Sequence, residues 1–174
     1  MTQRREGLVS LDIPEHLLPI AQKNSTNSPL LRLPAELRNK IYRYALGDMR
    51  IVIGSTGKSD ITIGLPGTCR QIYAETGTMV YQLNVFDFVL RIDYLRDWAE
   101  HRLRSQLEAV RAIKVNDWYI MYPSKKRVPK HCTLPNLERL YVANPKSFPL
   151  GSMAVRIAGP WLSDCNENLK VIME

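Results

Sequence analysis

The segment nearest to a recognisable chemical motif is 54–59, Gly-Ser-Thr-Gly-Lys-Ser. A glycine-rich turn before lysine and serine is typical of loops whose backbone amides bind nucleotide phosphates. That motif requires a glycine where this chain has Val52, and a helix where the alternating residues 61–63 indicate a strand. We therefore interpret the segment as the turn of a β-hairpin over residues 49–64, with isoleucines alternating on both sides.

Histidine and cysteine side chains form no recognisable catalytic or metal-binding pattern. The three histidines lie far apart in the sequence, and only His131 and Cys132 are neighbours. Adjacent side chains of an extended segment point to opposite faces, so these two are not within mutual reach. Three cysteines without a C-x-x-C pair argue against a disulfide framework and a zinc site. We expect no enzymatic activity, no cofactor and no metal.

A basic cluster comprises Lys125, Lys126, Arg127 and Lys130. The net charge of the chain is +7, and this cluster contributes four positive charges in a stretch without acidic residues. Such a cluster is compatible with a solvated loop, with a nuclear-import signal, or with contacts to nucleic-acid phosphates. Aromatic residues within 118–122 could add base stacking. The sequence leaves these alternatives open.

The composition indicates one folded domain. The chain has 174 residues, of which 45% are hydrophobic and 24% charged, and a chain of this size buries roughly 70% of its unfolded surface. No apolar run approaches the roughly 18 residues that a transmembrane helix needs. We therefore expect an intracellular protein, in the nucleus or the cytoplasm, that has no membrane partner.

The helical segments follow from periodicity. Residues 1–29 predict a flexible arm with a possible short helix, because polar residues and prolines dominate it. A first helix is predicted over 34–46, with proline at its first position and glycine after its end. Apolar spacing near 3.6 residues predicts a second helix over 68–82 and a third over 92–109, with a short strand around Phe86 and Phe88 between them.

The C-terminal third contains a weak repeat. The pattern Val-x-x-Ile-x-Val begins at Val110, a similar Leu-x-x-Leu-x-Val begins at Leu137, and Leu-x-x-Ile begins at Leu169. These intervals are close to those of leucine-rich repeats. Each copy predicts one strand, and such spacing requires crossovers, so the strands should be parallel and covered by helices. The coverings we expect are the helix 92–109 and a broken helical stretch around 152–165.

Two segments carry a family resemblance. Residues 28–46, with Leu33-Pro34-Ala35-Glu36-Leu37 at their centre, resemble the opening of an F-box. The match is closer to the F-box-like domain of a group of fungal proteins. Residues 65–88 are similar to the second block of that group, a helix that begins with cysteine and arginine and ends in an asparagine-phenylalanine strand. The resemblance extends over residues 28 to about 90 and, more loosely, over 91–117.

The resemblance implies an adaptor function. F-box proteins dock onto the Skp-type adaptor of cullin-RING ubiquitin ligases, while a C-terminal module presents a protein substrate. By position, the resemblance assigns docking to Leu33, Pro34, Leu37 and Ile41. It also implies that a second group packs behind or beside them, namely Leu65, Cys69 and Ile72. The same apolar spacing would also suit a helix that merely covers a sheet.

Taken together, the sequence predicts an α+β fold in three parts. An N-terminal arm, 1–29, precedes an F-box-like region with an inserted hairpin, 30–90. A small, largely parallel, repeat-like β/α region, 91–174, packs on the same core. The function we expect is a noncatalytic protein-interaction module that recruits an unidentified protein substrate. The alternative is a basic protein that binds nucleic acid or chromatin through the cluster at 125–130.

Overall fold

The fold is built on one parallel sheet. The computed structural model describes residues 13–54, 64–89, 93–116, 134–143 and 168–174. Within these ranges the five strands are hydrogen-bonded in the order of the sequence, and every neighbouring pair is parallel. The α+β class with a parallel, repeat-like β/α part is thereby confirmed. The strands are β1 (Arg50–Val52), β2 (Val85–Asp87), β3 (Ala112–Asn116), β4 (Arg139–Ala143) and β5 (Lys170–Met173).

Six α-helices precede and connect the strands in the described ranges. One of them, α1, lies in the arm predicted over 1–29, but it overlaps the apolar residues 11–20, for which the sequence suggested a short helix, only at 18–20. Helix α2 starts one residue after the predicted beginning. Short 3-10 turns occupy Glu15–Leu17 and Leu65–Gly67. The helices are α1 (Leu18–Asn27), α2 (Ala35–Leu46), α3 (Arg70–Thr76), α4 (Met79–Leu83), α5 (Asp93–Glu100) and α6 (Arg104–Ala109).

The strand register places one row of apolar side chains on the same face of all five strands. Paired residues of parallel strands share a face, and the row runs through neighbouring strands without interruption. The next row, two residues further along each strand, is also apolar. The helices pack on this face. The first row consists of Ile51, Phe86, Ile113, Leu140 and Val171.

The sequence repeat matches one of the two pairings between the C-terminal strands. Ile113 pairs with Leu140 as expected, but Leu140 pairs with Val171 rather than with Ile172. The third copy is therefore shifted by one residue. Val171 and Met173 pack against the core together with Leu169, and this alternation has the period of a strand.

The region around β1 differs in pairing from a simple hairpin. β1 pairs in parallel with β2, and Ile53 donates its amide to the carbonyl of Asp87 at 2.9 Å. Of the predicted hairpin over 49–64, the turn and the returning strand lie outside the described residues. The second covering stretch that we expected, 152–165, lies outside them as well.

Two of the predicted helices are divided. The helix expected over 68–82 is interrupted at Gly77 and Thr78, between α3 and α4, where glycine and threonine are weak helix formers. The helix expected over 92–109 breaks before α6, where Leu103 adopts an extended backbone conformation. There the Gln106 side chain accepts a hydrogen bond from the Leu103 amide at 3.0 Å, so a local cap replaces the continuous helix.

An aromatic cluster joins the helical layer to the centre of the sheet. The ring of Trp98 in α5 lies 5.0 Å from that of Phe86 and 5.6 Å, edge on, from that of Phe88. Tyr81 of α4 stacks on Phe86 at 5.5 Å. Such pairs add to the stabilisation from burial. The cluster fixes α4 and α5 on the apolar face of the sheet.

Candidate functional site

Helix α2 has two apolar arcs, and only one of them is buried. Tyr42 and Leu46 face the core with 0% and 3% of their surface exposed. Leu37 and Ile41, on the other arc, remain 50% and 40% exposed, and Tyr44 remains 80% exposed. Residues separated by three or four positions lie on the same side of a helix. The exposed arc is therefore a continuous apolar stripe along α2.

A partly buried polar cluster holds the first half of α2 against α3. Arg38 donates to both carboxylate oxygens of Glu75, from Nη2 to Oε1 at 2.6 Å and from Nε to Oε2 at 3.0 Å. Its Nη1 also donates to the carbonyl of Leu33 at 2.6 Å. The Tyr42 hydroxyl and the Gln71 amide donate to the same carboxylate at 2.9 and 3.0 Å. Bidentate pairs of this kind fix orientation as well as distance.

This cluster changes the titration of its members. Burial alone would raise the pKa of Glu75, but the hydrogen bonds from Arg38, Gln71 and Tyr42 outweigh it and hold the pKa below its usual value. Burial, followed by the hydrogen bond to Glu75, raises the pKa of Tyr42 to about 12. At neutral pH the Glu75 carboxylate is thus ionised and the Tyr42 phenol protonated. In these states the carboxylate can accept all of the hydrogen bonds described, and the phenol can donate one of them.

The second half of α2 is held by Asn84, which is buried. Its amide nitrogen donates to the carbonyls of Leu46 and Val80 at 2.6 and 2.8 Å, and its oxygen accepts from the amide of Met49 at 2.7 Å. At the end of the helix, a Cβ on Gly47 would lie 2.6 Å from the carbonyl oxygen of Arg43, so a side chain does not fit there. The exposed stripe therefore lies on a helix that is fixed at both ends.

The candidate docking residues occupy this exposed side to different degrees. Pro34, Leu37 and Ile41 are exposed, whereas Leu33 is half-buried. Tyr44 was missed as a site residue, although its spacing from Leu37 and Ile41 already placed it on the same arc. We define the docking stripe as Pro34, Leu37, Ile41 and Tyr44.

The three residues that the resemblance placed behind or beside the docking helix are at least partly buried. Ile72 is buried, and Leu65 and Cys69 are partly buried against the core. The thiol of Cys69 is free. These side chains support the helical layer and leave the docking stripe open to solvent.

Cationic side chains flank the docking stripe along one side of α2. Lys40 and Arg43 are both exposed and lie within four residues of Ile41 and Tyr44. A partner that covers the stripe would therefore meet an apolar centre with a largely basic border, to which Glu36 adds one acidic side chain. An apolar groove with acidic groups at its edge would complement this surface.

A second feature is a groove of about 650 Å³ between α1 and the start of α3. Its lining is mainly apolar and also includes polar residues of α3. None of the ten residues of α1 is buried. The apolar lining comes from Ile13, Leu17, Leu18, Ile20, Ala21, Leu31, Cys69 and Ala74.

Several residues singled out from the sequence lie outside the described residues. They include the basic cluster at Lys125, Lys126, Arg127 and Lys130, the turn at 55–59, and the pair His131 and Cys132. In the ranges that are described, no three histidine, cysteine or acidic side chains come together in an arrangement that could hold a metal ion. None of the helices in those ranges is long and apolar enough to cross a membrane.

Comparison of the chain with protein-family models, with curated proteins and with solved structures found no match.

Proposed function

We propose that the chain is a noncatalytic protein-interaction module of the F-box-like type, which docks through α2 onto a Skp-type adaptor. The observation that carries this proposal is the docking stripe on a helix that is otherwise firmly anchored. Contiguous exposed apolar surface is uncommon on monomeric proteins and marks interaction sites. Bound in this way, the chain would link a protein substrate to a cullin-RING ubiquitin ligase in the nucleus or the cytoplasm.

The anchoring contacts support docking rather than loose packing. Arg38 and Tyr42 hold α2 to Glu75, and Asn84 holds its end, so the helix has its shape before a partner arrives. A preorganised surface loses little conformational entropy on binding. The exposed aliphatic and aromatic side chains would then contribute their burial directly to affinity.

Capture of a purified Skp-type adaptor tests the proposal. We expect the double variant Leu37→Ala and Ile41→Ala to bind at least about tenfold more weakly, equivalent to about 1.4 kcal/mol. Helix content, followed by circular dichroism, should not change, because neither side chain supports the core.

The matched control replaces two exposed aliphatic residues of α1, Leu18→Ala and Ile20→Ala, and should bind as the native protein does. If the native protein shows no adaptor binding at concentrations on the order of tens of micromolar, the proposal is wrong. An equal loss in the control and the α2 variant would also contradict it, because the effect would then not belong to the docking stripe.

A further inference from the structure

The face of the sheet opposite the apolar rows carries mostly charged and polar side chains. Side chains of a strand alternate between faces, so the residues between those of the apolar rows point away from the helices. Along the starts of the strands, in register, this face presents Arg50, Val85, Ala112, Arg139 and Lys170. Two residues further along it presents Val52, Asp87, Lys114, Tyr141 and Ile172.

Some of these charges are already neutralised within the fold. Arg50 forms an ion pair with Asp87, and Lys114 reaches the carboxylate of Glu174. Arg139 and Lys170 are different, because neither forms an ion pair with any described residue. The acidic residue that precedes Arg139, Glu138, pairs with Arg111 at 3.4 Å instead.

Arg139 and Lys170 also oppose each other directly. They are partners in the register of β4 and β5, on strands about 4.8 Å apart. Like charges opposite each other on neighbouring strands destabilise a sheet. Arg139 is half-buried and Lys170 exposed, so solvent screens the pair incompletely. A carboxylate placed between them would convert this repulsion into two attractions.

The residues next to Arg139 and Lys170 also favour an apolar side chain in the ligand. Tyr141 and Ile172, both half-buried, are in register with each other two residues further along the same strands. Cationic and apolar pairs are thus separated by about 6.7 Å, twice the rise per residue of a strand. An extended peptide has the same distance between residues i and i+2.

We propose that this face binds an extended acidic segment of a partner protein, with a carboxylate at Arg139 and Lys170. The residue two positions away, apolar or aromatic, lies on Tyr141 and Ile172. The inference rests on the proposed function, because it supplies the substrate class for a module whose other surface docks to an adaptor. The sheet face and the docking stripe use different residues.

A peptide suits this face better than a nucleic acid does. Arg50 and Lys114 are already paired with Asp87 and Glu174, so among the described residues of this face Arg139 and Lys170 are the cations left for a ligand, whereas a phosphate backbone needs a longer row of them. A peptide can place its carboxylate at the cationic pair alone and keep uncharged residues elsewhere. The mixture of cationic and apolar pairs therefore favours isolated carboxylates next to apolar side chains.

Fluorescence anisotropy with the full chain tests the proposal. The probe is a short labelled peptide in which glutamate and leucine or tyrosine are separated by one residue. We expect binding that weakens with added salt. The double variant Arg139→Gln and Lys170→Gln should bind at least about tenfold more weakly, while the control Lys23→Gln and Arg32→Gln stays within about twofold. All variants are checked by circular dichroism.

Several results would overturn the proposal. They are no binding of the peptide, equal binding of a peptide with glutamine in place of glutamate, or unchanged affinity in the Arg139 and Lys170 variant. Tighter binding of a single-stranded oligonucleotide, lost in the same variant, would assign the face to nucleic acid instead. Adaptor capture is measured on the same samples. Capture without peptide binding contradicts only this inference, and peptide binding without capture contradicts only the adaptor proposal.

Discussion

Helices α1 and α2 are of similar length and both expose aliphatic side chains, yet they relate to the core in different ways. α1 has no buried residue, and Leu18 and Ile20 are 42% and 57% exposed. α2 exposes Leu37 and Ile41 to a comparable extent but buries Tyr42 and Leu46 on its other side. Short helices that lack tertiary contacts are only marginally stable in water. The second helix is thus held independently of the surface that it presents.

Exposed apolar side chains therefore indicate different things on the two helices, namely weak anchoring on α1 and a surface available for binding on α2. On α1 the exposed side chains Leu18 and Ile20 line the groove, and no residue of this helix is buried in the core. On α2 the burial of Tyr42 and Leu46 provides the stability, together with the ion pair between Arg38 and Glu75 and the hydrogen bonds of Asn84. The docking stripe can therefore be altered without loss of the fold, which makes it the surface suited to a separate binding role.

The largest difference between the two helices is expected in the loss of stability that a leucine-to-alanine substitution causes. We expect Leu46→Ala in α2 to lower the free energy of unfolding by about 2 to 5 kcal/mol, because it leaves a cavity in the core. Leu18→Ala in α1 should change it by less than about 0.5 kcal/mol, as for other exposed sites. Urea denaturation measures both. Similar losses in the two variants would mean that α1 is as firmly packed as α2.

A smaller effect is expected at the end of α2. Asn84→Ala removes the partners of two carbonyls and one amide, and we expect it to cost about 1 to 3 kcal/mol, since unsatisfied buried polar groups are destabilising. Asn24→Ala, at an exposed position of α1, is the control and should have little effect. A native-like unfolding midpoint for Asn84→Ala would show that α2 does not depend on this anchor.

The smallest effect concerns the charge of Glu75 and depends on pH. The pKa of Glu75 in the folded protein lies below its ordinary value of 4.5. Its carboxylate therefore stabilises the fold above that value, and the stabilisation disappears as the pH falls through the folded pKa. We expect Glu75→Gln to lower the free energy of unfolding by about 1 kcal/mol at neutral pH.

The difference between Glu75→Gln and the native protein should vanish in acid. Denaturation curves at a series of pH values measure it, and Glu15→Gln, at an exposed position before α1, is the control. A difference that persists at low pH would show that the amide is harmful for a reason other than the lost charge.

Much of the sheet could be predicted from the sequence because parallel strands leave a repeated apolar spacing. Ile113 and Leu140 were placed correctly in this way. The third copy of the repeat is out of register with β4 by one residue, since Val171 and Ile172 are both apolar and only the strand pairing distinguishes them. The parallel pairing of β1 with β2 could not be predicted, because the apolar pattern of a three-residue strand is too short to indicate which strand it pairs with.

The helical breaks at Gly77 and Leu103 have a similar explanation. Periodicity continues through each break, because the side chains on both sides still face the same core. The first break lies at two weak helix formers, Gly77 and Thr78, and the second depends on the local hydrogen bond between the Leu103 amide and Gln106. A spacing pattern contains no information about this bond.

By itself the sequence determined that α2 exists, where it ends and that Leu37 and Ile41 lie on the same side of it. It did not determine which arc faces the sheet, because Leu37, Ile41 and Tyr44 have the same helical spacing that a core-facing stripe would have. The tertiary structure decided this by burying Tyr42 and Leu46 and by pairing Arg38 with Glu75, a residue 37 positions away. A contact between residues so distant in sequence arises only when α2 and α3 pack together, and it turns one arc inward and leaves the other for a partner.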